Sequence, residues 1–302
     1  MLHAIWDRLM YRLNASTAQP PSIIKKHVKN NVSLLHTPMR WCSLLMLTAF
    51  LAACGSIPKD GLDIDTSLAA QGKNSRVRHI VLHYTVADTP RSIKILTEQN
   101  VSSHYLITDE HPPKVYQLVD ENERAWHAGV SQWYEHTDLN TSSVGIEIVN
   151  PGHLDDGRWV PFNPEQIEIV KKLVRDIAER HRVTPANIVG HSDVAPTRKI
   201  DPGPLFPWKE LADEGLGRWY NPRLAAHYTA EFQRERLPTV RTVQEWLEHI
   251  GYAVPQHGQL DDETKKVIRA FQMHYRPSRH DGMIDAETVG ILKALVSPEV
   301  KD

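Results

Sequence analysis

Apolar and polar positions follow two rhythms along this chain. Ile80-Val81-Leu82, His104–Thr108, Val115–Val119, Val144–Val149 and Ile188-Val189 are short apolar runs bounded by turn-forming residues, the pattern of strands. A turn at His111-Pro112-Pro113 joins the second run to the third. In Val144–Val149 the two-residue period puts Glu147 on the face opposite Ile146 and Ile148. Helical spacing lies between the strands. Thr89-Pro90 offer an N-cap and a first-turn proline for a short helix reaching about Gln99. Asn163-Pro164 do the same for a longer helix, in which Ile167, Val170, Val174 and Ile177 share one face while Lys171, Lys172 and Arg175 lie elsewhere. Strands interleaved with helices predict a layered α/β domain over residues 76–225.

Beyond residues 226–237, read as a linker, the rhythm becomes wholly helical. Val240, Val243, Leu247 and Ile250 form one apolar face, closed by Gly251. Gly258-Gln259-Leu260-Asp261-Asp262-Glu263-Thr264 is then echoed by Gly282-Met283-Ile284-Asp285-Ala286-Glu287-Thr288. Each copy places an Asp just ahead of a helical run, so each reads as a turn followed by a capped helix. Residues 238–302 are expected to be a small helical domain.

The N-terminal part is different again, and charge makes this visible. The net charge of −2 hides an excess of +5 in residues 1–53, which leaves −7 for residues 54–302. That acidic balance disfavours nucleic acid as a partner. The basic leader precedes Cys42–Ala53, an apolar run too short to span a bilayer, and small residues close it, as in a secretory signal. Leu51-Ala52-Ala53-Cys54 resembles a bacterial lipobox, which implies lipid on Cys54 and a membrane anchor. Residues 54–75 then form a polar tether, and Gly55 after the cysteine fits sorting to the outer membrane, facing the periplasm. Met39 begins a compact signal of its own, so residues 1–38 read as a possible misassigned extension. The two cysteines build neither a disulfide framework nor a cysteine-rich zinc site.

The chemistry-bearing candidates sit at strand ends. His83 and His191 each follow an apolar strand, where rigid backbone can fix a ligand. Lys199 and Asp201 alternate with Ile200, which points them to one side in extended chain. A catalytic zinc needs three N or O ligands and an open position. No HExxH pairs these residues locally, and most of the 17 histidines need no function, so spacing alone does not single them out.

Six blocks in order do more: His83-Tyr84-Thr85, Ser103–Ile107, Ala125-Trp126-His127-Ala128-Gly129, Ser143–Asn150, Gly190-His191-Ser192-Asp193 and Lys199-Ile200-Asp201-Pro202-Gly203. In these the chain resembles the zinc N-acetylmuramoyl-L-alanine amidases, relatives of phage amidase-type lysozymes and animal peptidoglycan recognition proteins. Residues 240–296 resemble the three-helix peptidoglycan-binding domain through Val243-Gln244, Leu247, Gly251-Tyr252, Phe271-Gln272 and Asp281-Gly282. The resemblance implies a mixed central sheet flanked by helices, with Zn2+ held by His83, His191 and Asp201. It implies Glu147 as general base, Lys199 as oxyanion stabiliser, and His104, Trp126 and His127 lining the substrate groove. The implied substrate is peptidoglycan, cut between muramic (or anhydro-muramic) acid and L-alanine by a monomeric enzyme. A non-catalytic peptidoglycan receptor on the same fold and a zinc D,D-carboxypeptidase are the alternatives. The complete ligand set speaks against the first, and the Ala-Trp-His-Ala-Gly block against the second.

Overall fold

The computed structural model describes Leu62 and residues 64–298. The leader, Met39, Cys42 and the expected lipidation residue Cys54 lie outside the described residues. Five strands form one sheet: β1 (His79–Tyr84), β2 (Tyr105–Ile107), β3 (Val115–Gln117), β6 (Ser143–Ile148) and β7 (Ile188–Gly190), in the order β3-β2-β6-β1-β7. A separate hairpin holds β4 (Gln132–Trp133) and β5 (His136–Thr137). The pairs β2/β6, β6/β1 and β1/β7 are parallel, and β3 closes one edge antiparallel. The sheet is therefore mixed. Every residue of β1 is buried, as befits a parallel strand covered on both faces.

The helices on this sheet begin where capping chemistry dictates. Helix α2 (Pro164–His181) has a full capping box. The Asn163 side chain accepts from Glu165 N at 2.9 Å, and Gln166 Oε1 accepts from Asn163 N at 3.3 Å. Helix α1 (Thr89–Glu98) departs from expectation by one residue. Asp88, not Thr89, is its cap, accepting from Arg91 N at 3.0 Å, while the Thr89 hydroxyl donates to Asp109 instead. A carboxylate is the stronger acceptor for a helix N-terminus, so it takes the position.

The two faces of β1 feed two cores. Ile80 and Leu82 pack with Ile146, Ile148 and the α2 face Ile167, Val170, Val174 and Ile177. Val81, Ala128, Val189 and Val194 face the other way, into a cluster completed by the C-terminal helices through Val243, Leu247, Phe271 and Leu292. The C-terminal layer is thus part of the core around β1. Trp133 of the hairpin marks the seam: its ring packs edge-on against Tyr252, and a Cβ on Gly251 would fall 2.7 Å from it. Gly251 has φ +121 and Tyr134 N donates to its carbonyl at 2.8 Å, so glycine is required there.

Residues 226–237 are not a linker over most of their length. They belong to helix α5 (Pro222–Arg234), which is capped by Asn221 and follows the short α3 (His191–Val194) and α4 (Trp208–Asp213). Helix α5 lies so close to the last helix that a Cβ on Gly290 would meet Thr229 Oγ1 at 2.3 Å. The remaining helices are α6 (Val240–His249), α7 (Asp262–Tyr275) and α8 (Ala286–Val296).

The sequence echo is a structural repeat. Buried Gln244 donates to Thr264 Oγ1 and Gln259 O and accepts from Gly258 N; buried Gln272 donates to Thr288 Oγ1 and Met283 O and accepts from Gly282 N. Asp261 and Asp285 cap α7 and α8, each accepting at 2.8 Å from the threonine backbone N–H three residues on. One glutamine brackets each turn, and each amide is satisfied at both ends.

Candidate active site

The parallel register builds the site. His83 of β1 pairs with Glu147 of β6, and Leu82 pairs with Gly190 of β7, so His191 follows one step past the sheet beside His83. A base candidate and two imidazoles thus stand in a row across the carboxyl ends of three strands, where open α/β sheets place their ligands. Asp201 joins from the loop after α3, tied down by Ser192 N, which donates to the Asp201 carbonyl at 2.8 Å. Gly190 is needed at this corner because a Cβ there would sit 2.6 Å from Pro202 Cδ.

Three atoms converge: His83 Nδ1, His191 Nδ1 and Asp201 Oδ2 are 3.0, 3.0 and 3.1 Å apart. Proton counting shows that these are not ordinary hydrogen bonds. Ser143 Oγ is 2.6 Å from the Leu139 carbonyl, which can only accept, so the hydroxyl donates there. It must then accept from His127 Nε2–H at 3.1 Å, and His127 Nδ1 accepts from His83 Nε2–H at 3.0 Å. This chain leaves His83 Nδ1 bare. The Ala128 carbonyl accepts from His191 Nε2–H at 3.0 Å, so that in the neutral form of this imidazole Nδ1 is the free lone pair. Two lone pairs and a carboxylate oxygen, all enclosed, face one point.

That donor set fits a metal ion. Tetrahedral zinc with bonds of about 2.0–2.1 Å spaces its ligands about 3.3 Å apart, so the triangle need open by only a few tenths of an ångström. The electrostatics agree. Burial, and then its neighbour His191, depress His83 to about 4, so it stays a neutral ligand near pH 7. Burial alone would raise Asp201, but the two imidazoles outweigh it and hold the carboxyl well below the usual range.

Glu147 is tuned the opposite way. Burial and the Asp201 charge push it up to about 8, against the pull of the Lys199 ammonium. Its Oε2 is enclosed with no hydrogen-bond partner. With that shift the metal-free carboxyl keeps its proton near pH 7, and its unpaired buried oxygen beside the three converging atoms marks it as a candidate functional group. Lys199 is half-buried on the loop leading to Asp201, and beside it the Arg198 guanidinium donates at 3.0 Å to the Ala128 carbonyl that His191 also bonds.

The groove residues divide. Trp126 is 55% exposed and available as an apolar wall. His104 and His127 do not line an open groove, contrary to expectation. His104 is fully enclosed, accepting from Gly145 N at 3.0 Å and facing the Glu123 carbonyl at 3.3 Å. His127 is buried against β6, its ring filling the space where a Cβ on Gly145 would stand, at 2.4 Å. Burial and the histidines around it lower its pKa far below the ordinary value, so it remains neutral. What it contacts is the His83 ring, through Nδ1 at 3.0 Å. Sequence reasoning missed Ser143 and the Leu139 and Ala128 carbonyls, because a hydroxyl or carbonyl at the end of a relay has no residue-type signature.

Comparison with known proteins gives the same picture. Residues 73–204 match the N-acetylmuramoyl-L-alanine amidase family, and residues 236–292 match a putative peptidoglycan binding domain. The chain is 39% identical over 275 residues to N-acetylmuramoyl-L-alanine amidase AmiD of Escherichia coli K12, spanning 87% of this chain and 99% of that protein. The structure of AmpDh3 from Pseudomonas aeruginosa matches with a TM-score of 0.73 and 42% identity, covering 78% of this chain and 97% of that one. E. coli AmiD, solved with the substrate anhydro-N-acetylmuramic acid-L-Ala-D-gamma-Glu-L-Lys, matches with a TM-score of 0.70 and 40% identity over 79% and 95%. With this sheet, this donor triangle and an alignment spanning nearly all of a relative, the chain belongs to the N-acetylmuramoyl-L-alanine amidases, enzymes that cut the amide between muramic acid and the L-alanine of the peptidoglycan stem peptide.

Proposed function

We propose that this amidase is zinc-dependent, with His83, His191 and Asp201 as ligands, Glu147 as general base and Lys199 as the cation facing the oxyanion. The observation that carries the reading is the buried triangle of His83 Nδ1, His191 Nδ1 and Asp201 Oδ2, 3.0–3.1 Å on a side, beside an unpaired Glu147 oxygen. Zinc at such a site supplies a Lewis acid and brings the pKa of water toward about 7. Glu147 takes the proton of the attacking water and returns it to the L-alanine amine as the carbon–nitrogen bond breaks. Lys199 meets the negative charge that develops on the lactyl carbonyl oxygen. The proposed substrates are anhydro-muramoyl and intact muramoyl peptides, with Trp126 against the glycan–peptide junction. Support comes from the two relatives solved with anhydromuramic peptides.

The envelope setting belongs to the same proposal. The chain is proposed to act as a monomer, with a donor set that needs no second chain to complete it. The basic leader and Leu51-Ala52-Ala53-Cys54 support lipid on Cys54 and an outer-membrane position facing the periplasm, with residues 54–75 setting reach. The peptidoglycan-binding match at residues 236–292 supports a C-terminal layer that raises local concentration at the wall. Mass spectrometry of muropeptides before and after Glu147→Gln tests the chemistry. Stem peptides released by the unaltered chain and absent with the variant are expected; undiminished release by a zinc-loaded variant overturns the base assignment.

A further inference from the structure

The turn that carries His191 is too small to hold itself. Helix α3 is a single turn of four residues, and its N-cap is Gly190, which has no side chain to cap with. Asp193 does that work from inside the turn: its Oδ2 accepts from Gly190 N at 2.7 Å. Asp193 is fully buried, two residues past a proposed ligand. A buried carboxylate needs partners, and two of the three it has come from the C-terminal layer. The Tyr252 hydroxyl donates to Oδ1 at 2.6 Å, and His274 Nδ1–H donates to Oδ2 at 2.8 Å. Both partners are buried, and the His274 ring stacks on Trp208 at 4.0 Å with planes 10° apart. On its other side, α3 is tied to Asp201 by Ser192 N. The ligand-bearing turn is therefore gripped between a second ligand and the helical layer.

We infer that Tyr252 and His274 are positioning residues of the metal centre, acting through Asp193 to fix His191, so that the peptidoglycan-binding layer sets the metal affinity of the catalytic layer. This inference rests on the zinc reading above. The layer then does more than hold the enzyme at its substrate. Movement of α7, which carries His274, would reach the His191 turn through a single carboxylate.

The test is zinc affinity of the full chain, measured by competition with a chromophoric chelator, together with the visible spectrum of the cobalt-substituted protein. Partners that orient ligands are typically worth about 10- to 100-fold in metal affinity. The double variant Tyr252→Phe/His274→Leu is expected to lose that much and to shift the cobalt bands. His274→Asn restores a donor near the Nδ1 position without the stacked ring, so it should recover most of the affinity lost in His274→Leu while staying equally heat-labile. Tyr228→Phe removes a hydroxyl of the same layer that bonds Ser297 rather than Asp193, and zinc affinity should be unchanged. Affinity equal to the unaltered chain in a folded double variant, or His274→Asn binding as weakly as His274→Leu, overturns the inference. If the double variant does not fold, Tyr252→Phe alone decides, with unchanged affinity counting against the inference. Failure of the unaltered chain to bind zinc overturns the metal reading itself.

Discussion

The two glutamine-bracketed turns and the ends of the central strands treat their buried polar atoms in opposite ways. In the helical layer, Gln244 and Gln272 are enclosed and satisfied at every position, each tying a glycine, a threonine and a carbonyl of its turn. At the carboxyl ends of β1, β6 and β7, two imidazole nitrogens and a carboxylate oxygen crowd within 3.1 Å of one another, and a second carboxylate oxygen has no partner. The first arrangement specifies a fold, because each buried amide costs free energy unless its own turn forms. The second would destabilise a protein with nothing to bind. Buried atoms without a partner also occur elsewhere, at Ser103 and at His274 and Arg276 of the helical layer; what marks the site is an unpaired carboxylate oxygen beside three converging donors.

That contrast can be broken from either side. The largest effect is expected at the triangle. His191→Ala or Asp201→Ala should abolish stoichiometric zinc binding, read by equilibrium dialysis, and with it stem-peptide release. Glu147→Gln should retain the metal and lose roughly 10²- to 10⁴-fold in kcat, the range for a general base; a comparable loss of zinc would mean that Glu147 acts on the metal instead. His127→Phe leaves His83 without its acceptor and should weaken zinc binding about 10- to 100-fold. In the helical layer the effect should move from function to stability. Gln272→Ala strands three partners, two of them buried, and should cost about 3 kcal/mol in denaturant unfolding, with kcat per folded molecule unchanged.

The smallest expected effect is in pH dependence, and its sign separates the groups. In the metal-free protein, Glu147 is raised by burial to about 8 from an unfolded value of 4.5, so the folded state holds that proton longer. Its contribution to stability is complete below about 4.5 and is lost as pH rises toward 8. His83, depressed to about 4 from 6.5, works the other way, because the unfolded chain binds the proton first. Its contribution is recovered as pH rises from about 4 to 6.5. The two oppose each other below 6.5, and only the Glu147 loss remains above it. Metal-free protein should therefore lose stability between about pH 6.5 and 8, and Glu147→Gln should flatten that decline in thermal melts. An identical slope in the variant would place the titrating group elsewhere.

How much of this was legible varied with what a residue's type reveals. His83, His191, Asp201, Glu147 and Lys199 stood out because strand-end positions and ordered blocks coincide. Asn163-Pro164 announced α2 through capping chemistry alone. His104 and His127 were misplaced because residue type does not tell which side of a strand or loop a ring faces. The space over Gly145 that admits His127 exists only once β6 lies beside it. The segment read as a linker carried a usable signal: Asn221-Pro222 repeats the Asn163-Pro164 pair, and Leu224, Tyr228 and Phe232 recur at helical spacing. Only Ala225 of that helix is fully buried, so its apolar stripe is thin. Asp193, Tyr252 and His274 are 59 and 81 residues apart, and no local pattern joins them.

The central claim is that a metal held by His83, His191 and Asp201 is required for cutting the muramoyl–L-alanine bond. The most direct measurement is mass spectrometry of an anhydro-muramoyl tripeptide incubated with the purified chain as prepared, after chelation, and after one equivalent of zinc is restored. The predicted result is free stem peptide in the first and third samples and intact substrate in the second. Undiminished release of stem peptide by the chelated, metal-free chain would contradict it.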